Sequence, residues 1–195
     1  MSIKLDIKDR KILAQLDLNA RTHISTIAKN VGLSRQVTEY RIKRLEQKKI
    51  LIGYYTILNT SKLGYLYCRI HLNLRSTSSK DEKEIISKIK EIENVIWLSQ
   101  QQGEKWEIAI VALVKNFLEL DKIYKEIIFE HNNYIEKSDV SVATKIYHYK
   151  NKYLFNKKLD EIPYCVIGEE IDNYILEKNQ RKILSVISDN ARLSL

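Results

Sequence analysis

Residues 34–49 carry a dense set of side chains that can bind phosphate or read the edges of nucleic-acid bases. Six of these sixteen residues are Lys or Arg. Both residue types donate charge-assisted hydrogen bonds to phosphate, and Arg, Gln and Glu also match the edges of guanine, adenine and cytosine. We therefore predict a double-stranded DNA interface made, with one following tyrosine, of Ser34, Arg35, Gln36, Glu39, Tyr40, Arg41, Lys43, Arg44, Lys48, Lys49 and Tyr54.

The order of apolar and polar residues divides this set by role. Thr38, Ile42 and Leu45 are spaced by four and three residues, which predicts the inward side of a helix. The residues predicted to enter the major groove from the opposite side are Arg35, Gln36, Glu39, Tyr40 and Lys43. The remaining basic residues would fix the position of the helix on the backbone, and they are Arg41, Arg44, Lys48 and Lys49. Tyr54 can either reach sugar-phosphate or pack against the helices.

The excess positive charge of the chain lies in its first third. Residues 1–62 contain 13 Lys and Arg against 5 Asp and Glu, a balance of +8, whereas residues 63–195 contain 20 of each. A polyanion is the expected partner of such a region, because neutralising phosphates releases condensed counterions. A basic surface that only aids solubility is the alternative interpretation.

Three short helices would position these side chains. The pattern predicts a first helix over residues 6–18 that begins at Asp6, a second over about 25–30 followed by a turn at Gly32, and a third over 34–48 capped by Ser34. Residues 50–58 form two β-prone runs around Gly53 and are predicted to be a hairpin wing. Residues 1–60 are therefore interpreted as a winged helix-turn-helix domain.

Residues 63–153 are predicted to form a second, ferredoxin-like domain, which makes the fold class α+β. Strands are expected at 65–75, 95–101, 105–114 and 138–149, with helices at 80–93 and 117–130. In the first strand, alternate residues from Leu66 to Leu74 are apolar and would face the core. The resulting βαββαβ order is that of the split ferredoxin-like arrangement.

The start of the chain is repeated near its end. Residues 5–24 align with residues 176–195 at a constant offset of 171, with eight of 20 positions identical, among them Asn19-Ala20-Arg21 and Asn190-Ala191-Arg192. We interpret residues 173–195 as the start of a second, incomplete helix-turn-helix copy in a truncated or interrupted tandem protein. Residues 154–172, which hold the single proline, are the predicted linker. For Arg21, an ion pair or a carbonyl contact is favoured over a phosphate contact.

The first domain resembles the opening domain of Lrp/AsnC transcriptional regulators, and the similarity continues to about residue 153. The motifs that carry the resemblance are Leu5-Asp6, Asp9, Ile12-Leu13, Asn19-Ala20-Arg21, Ile27-Ala28, Val31-Gly32-Leu33-Ser34, Tyr40-Arg41-Ile42, Arg44-Leu45-Glu46, Ile50 and Gly53-Tyr54. The resemblance implies a regulator that forms a homodimer or higher homo-oligomer through its second domain. A tandem duplication would let one chain supply both halves as an intrachain pseudo-dimer.

The resemblance also implies a small, amino-acid-like effector bound near the predicted second hairpin. The residues concerned are Gln101, Gln102, Gly103 and Glu104. The hairpin departs from the common pattern of the family, because its sequence Gly-Glu-Lys-Trp-Glu has an extra residue and ends in Glu where the family commonly has Asp.

Other function classes are less well supported by the residues. No apolar run approaches the roughly 20 residues of a membrane-spanning helix and no signal-peptide segment opens the chain, so a cytoplasmic protein without membrane contacts is expected. The two cysteines and four histidines have no ligand spacing, and no nucleophile and base are paired, so no metal, no cofactor and no enzyme activity are expected. Two alternatives remain: a tetrapyrrole enzyme resembling sirohaem decarboxylases, and an architectural protein that coats DNA.

Overall fold

A computed structural model describes residues 4–75, 77–101, 105–155, 163–172 and 174–193. The chain divides into two compact units. The first unit comprises Met1–Leu58, Tyr147–Cys165 and Leu176–Leu195, and the second comprises Asn59–Ile146 and Val166–Ile175.

The first unit is built around three helices, α1 (Ile7–Leu18), α2 (Ile24–Val31) and α3 (Arg35–Gln47). Helix α1 begins at a capping box in which Asp6 and Asp9 each accept the other's backbone N–H. Helix α2 ends at Gly32, whose φ of 70° is the left-handed conformation that glycine adopts without strain. The predicted three-helix arrangement is confirmed, and its buried core consists of Ile12, Leu16, Ile27, Val31, Ile42 and Leu45.

The hairpin wing predicted at residues 50–58 is wrong. All nine residues are described, and none of them lies in a strand. The backbone groups on the two sides of Gly53 have separate partners. The N–H groups of Ile50 and Leu51 donate to the carbonyl of Leu45, whereas the carbonyl of Tyr54 accepts from the N–H of Ala191. These three backbone groups are therefore not available to a ladder between the two runs.

The second unit has the predicted ferredoxin-like order. Its elements are β1 (Leu66–Leu74), α4 (Ser79–Ile89), β2 (Val95–Gln100), β3 (Ile108–Val114), α5 (Phe117–His131) and β4 (Ile135–Ala143). The four strands form one antiparallel sheet in the order β2-β3-β1-β4. Alternation along β1 places Cys68, Ile70 and Leu72 in the core beneath α4 and α5.

The opposite side of this sheet is a second surface, called here the open face. Its residues follow from the register, in which Arg69 is paired with Val111, His71 with Ala109, and Val111 with Trp97. Both helices of the described part of the unit pack on the other side, against the core residues. The open face is consequently left without a helical layer.

The end of the domain differs from the prediction. The strand expected at 138–149 is two strands, because the backbone turns at Thr144 between β4 and β5 (Lys145–Tyr149). Strand β5 pairs with β6 (Tyr164–Gly168), which lies inside the segment predicted to be a linker. Gly168 has a φ of 104°, and a Cβ atom there would collide with the carbonyl oxygen of Thr144. A last helix, α6, spans Lys178–Asp189.

Candidate nucleic-acid interface

One side of helix α3 is buried against the rest of the first unit, and the opposite side is exposed. Thr38, Ile42 and Leu45 are buried as predicted, and the Thr38 hydroxyl donates to the carbonyl of Ser34. The Ser34 hydroxyl accepts the N–H of Val37, which fixes where the helix begins. Among the predicted DNA-contacting residues, the exposed ones are Ser34, Arg35, Gln36, Tyr40, Lys43, Lys48 and Lys49.

Two members of the exposed side are paired with each other. The Lys43 ammonium lies 3.1 Å from a Glu39 carboxylate oxygen, one helical turn away. Both side chains are well exposed, so the pair is worth a few tenths of a kcal/mol and can open when a stronger partner arrives. Lys43 and Glu39 therefore remain available for groove contacts.

Arg41 and Arg44 do not extend the basic surface as predicted. Both reach back to Asp9 on α1, with nitrogen to oxygen distances of 2.9 Å for Arg41 and 2.7 Å for Arg44. Arg41 also lies 2.6 Å from Asp6, and this hydrogen bond lowers the pKa of the Asp6 carboxyl from its ordinary value. The Asp9 side chain is only 1% exposed, so the two arginines neutralise a buried charge. Arg41 and Arg44 are therefore engaged with α1.

Tyr54 was predicted either to pack against the helices or to reach sugar-phosphate, and in the structure it packs. Its hydroxyl donates to a Glu46 carboxylate at 2.7 Å, and the guanidinium of Arg192 lies 5.2 Å from the centre of its ring. Burial, followed by the hydrogen bond to Glu46, raises the pKa of Tyr54. The phenol therefore stays protonated and is bound to Glu46 near the end of α3.

Besides Lys43 in its middle, helix α3 has exposed cations at both ends. Arg35 is the first residue of the helix, whereas Lys48 caps its end and Lys49 follows with a φ of 53°. At a rise of 1.5 Å per residue, a 13-residue helix separates these ends by about 20 Å. The geometry suits contacts to bases from the start of the helix and to phosphates from its end.

A cationic cavity next to the start of α3 was missed by sequence reasoning. It measures about 500 Å³ and is lined by Arg21, His23, Ile24, Ser25, Arg35, Arg192 and Leu193. Arg21 makes the carbonyl contacts that were favoured for it, to Ala191 and Leu193. The repeated Asn-Ala-Arg motif was the signal that could have predicted this meeting of Arg21 with Arg192.

The structure describes one of the four residues predicted to bind an effector. Gln102, Gly103 and Glu104 lie outside the described residues. Gln101 is exposed, and its N–H donates to the carbonyl of Glu107 at 2.7 Å.

An aromatic pair lies close to this segment of the chain. The rings of His71 and Trp106 lie 5.8 Å apart, and the Nδ1 atom of His71 is buried without a hydrogen-bond partner among the described residues.

Two classes of feature are absent from the parts of the chain that the structure describes. No helix there has the length and apolar character needed to cross a bilayer. No group of three or more His, Cys, Asp or Glu side chains in the same residues is arranged to hold a metal ion.

Similarity to known sequences covers both domains. Residues 5–46 match the AsnC-type helix-turn-helix domain. Over 125 residues, or 64% of the chain and 82% of the relative, the sequence is 34% identical to the HTH-type transcriptional regulator Ptr1 of Methanocaldococcus jannaschii. Over 119 residues, or 61% of the chain and 78% of the relative, it is 33% identical to the regulatory protein AsnC of Haemophilus influenzae. These relatives are named as regulators and not as enzymes.

Solved structures agree with the fold. The structure of E. coli AsnC superposes with a TM-score of 0.62 at 25% identity, covering 72% of this chain and 93% of that one. A transcriptional regulator from Neisseria meningitidis, crystallised as a complex with L-Met, superposes with a TM-score of 0.63 at 21% identity, covering 72% and 90%. The second likeness establishes the fold alone.

Proposed function

This chain belongs to the Lrp/AsnC family of helix-turn-helix transcriptional regulators, and from that premise we propose that it binds double-stranded DNA with a sequence preference through α3. The observation that carries the proposal is the exposed side of α3, where Arg35, Gln36 and Tyr40 point away from the core. The excess charge of residues 1–62 supports it, because that charge lies in the same unit as α3. We also propose that it acts in the cytoplasm, where the chromosome of a cell without a nucleus lies.

The two ends of α3 have different proposed roles. Arg35 and Gln36 at its start can each make two hydrogen bonds to a purine edge in the major groove. Lys48 and Lys49 at its end carry charge without a planar donor array, so they bind phosphates of any sequence. Loss of Arg35 should therefore change which sequence is preferred, whereas loss of Lys48 should weaken binding to every sequence.

We further propose that the chain forms a homodimer through the open face of the second unit. Trp97 on this face is 51% exposed, and it lies beside Val111 in the register of the sheet. A large exposed aromatic side chain on a sheet without a covering layer is typical of a protein interface. A two-fold dimer would present two copies of α3 to a DNA site with two-fold symmetry.

The site of a small effector is also a proposal. The His71 and Trp106 pair lies on the open face, and the unpaired Nδ1 atom of His71 could accept a hydrogen bond from an ammonium group. Calorimetric titration with a panel of amino acids tests this, and His71→Ala should weaken any binding that is found. The role that we propose for this pair is binding.

Fluorescence anisotropy with duplex DNA over a salt series, combined with selection from a random pool, tests the DNA proposal. We expect Arg35→Ala to lose about 1–3 kcal/mol of discrimination, and Lys48→Ala to lower affinity for all duplexes and reduce the salt slope by about one. Lys83→Ala on α4 is the matched control, since it removes the same charge from an exposed position in the other unit. Equal losses for all three variants would contradict the assigned roles.

A further inference from the structure

The repeat in the sequence is also a repeat in the structure. Helix α6 begins and ends 171 residues after α1, and the two helices have the same length. Each begins at an acidic residue in a capping box, Asp6 or Glu177, and each ends at an asparagine in an extended conformation, Asn19 or Asn190. Residues 174–193 thus fold as a second copy of the beginning of the helix-turn-helix unit.

The two copies contact each other through equivalent residues. The Arg21 guanidinium donates to the carbonyl of Ala191 at 2.8 Å, and the Arg192 guanidinium donates to the carbonyl of Ala20 at 2.9 Å. The arginine of each copy thus contacts the alanine of the other copy. Such reciprocity is the signature of a two-fold axis. Both bonds are partly buried, which strengthens them relative to exposed ones.

The same internal hydrogen bond forms in each of the two turns. The side chain of Asn19 accepts the N–H of Arg21 at 2.9 Å, and the side chain of Asn190 accepts the N–H of Arg192 at 3.0 Å. These Asx turns orient the arginine backbone before the copies meet. The Asn-Ala-Arg motif therefore supplies both the asparagine that forms the turn and the guanidinium that donates to the other copy.

Further bonds attach the second copy to the segment after α3. The Ala191 N–H donates to the carbonyl of Tyr54 at 2.8 Å, and the Thr56 hydroxyl donates to the carbonyl of Ile187 at 2.7 Å. Ala191 is buried, and the Arg192 guanidinium lies over the Tyr54 ring. The contact thus includes a side-chain stack, one backbone hydrogen bond and one hydroxyl hydrogen bond, all made by residues that follow Gly53.

We propose that the Asn-Ala-Arg turns form a two-fold pairing surface on which the chain's own second copy docks against its first. The pairing would hold α6 and its turn against the turn between α1 and α2, beside Arg35 at the start of α3, and so help to fix the helix proposed to face DNA. This consequence for DNA rests on the proposed function, whereas the pairing itself does not.

Amide hydrogen exchange on the full chain tests the pairing. Arg21→Ala lies in the first copy, yet we expect it to reduce protection of the Ala191 amide and of α6 about tenfold or more. Arg192→Ala should have the same effect, and the double variant should be no worse than either single one, because the reciprocal bonds form and break together. Amides of α3 serve as an internal reference for correct folding and should keep their protection.

Arg10→Ala and Arg181→Ala are the matched controls, since these residues are also equivalent at the offset of 171 and both are exposed. They should leave the exchange of α6 unchanged. The proposal is overturned if Arg21→Ala leaves residues 174–193 unaffected, or if the controls give the same loss. Protection of α6 that falls on dilution would also overturn it, because docking would then occur between molecules.

Binding of the variants to duplex DNA, measured beside the exchange pattern, separates the two proposals. Weaker binding by Arg21→Ala than by the control Arg10→Ala, together with loss of protection in α6, is the expected result. Absence of DNA binding with the exchange pattern intact would refute the proposed function and leave the pairing standing.

Discussion

Replacing Asp9 by Asn should destabilise the first unit more than any other single change of charge at its helices. The Asp9 carboxylate is 1% exposed and accepts hydrogen bonds from Arg41 at 2.9 Å and from Arg44 at 2.7 and 2.8 Å. Asn has nearly the same shape but no charge, and its amide group would present donors to guanidinium donors. Two arginine charges would be left without their common partner.

The expected magnitude follows from the burial of the three groups. Removing one partner of a buried ion pair costs about 3–5 kcal/mol. The side chains of Arg41 and Arg44 are 20% and 34% exposed, so both can turn partly toward water, and we expect a loss of about 2–3 kcal/mol. With a urea dependence of roughly 1–3 kcal/mol per molar, the unfolding midpoint should fall by about 0.7–3 M.

Asp6→Asn is the matched control, because Asp6 binds the same Arg41 but is 52% exposed. Asn keeps the capping ability of Asp, so the expected loss is within about 1 kcal/mol. Urea unfolding followed by far-UV circular dichroism measures both variants. Trp97 and Trp106 belong to the second unit, so their fluorescence reports on that unit separately. Equal midpoint shifts for the two variants would refute the argument that burial sets the magnitude.

Three further predictions concern the second unit and its boundary. Trp97→Glu should convert a dimer to monomers in analytical ultracentrifugation, whereas Phe129→Glu, at a 76% exposed position on α5, should not. Burial lowers the pKa of His131, so the unfolded chain binds more protons there, and stability measured by tryptophan fluorescence should fall as pH drops below about 6.5; a His131→Gln variant with the same pH dependence would contradict this. Gly168→Ala should lower the free energy of unfolding by about 1–3 kcal/mol, because φ is positive and the added Cβ meets a carbonyl oxygen; an unchanged urea midpoint would rule out the strain.

The helices, the sheet order and the exposed side of α3 could be read from the sequence. Caps such as Ser34 act on the following three residues, and the periods of 3.6 and 2 depend on neighbours within one element. The alternation along β1 likewise identified Cys68, Ile70 and Leu72 as core residues, and the structure buries all three. Signals of this kind are local, so the chain carries them without reference to packing.

Tertiary structure alone decided which charged groups are free. Arg41 and Arg44 lie on the helix predicted to bind DNA, but their partner Asp9 is 32 and 35 residues away, on a helix that packs across them. Residues 50–58 have the composition of a hairpin, yet their backbone groups bond to residues outside the segment. The sequence determined the repeat of Asn-Ala-Arg, and only the fold brought Arg21 and Arg192 together across 171 positions. Partner choice depends on which surfaces meet, and that is a property of the packed chain rather than of neighbouring residues.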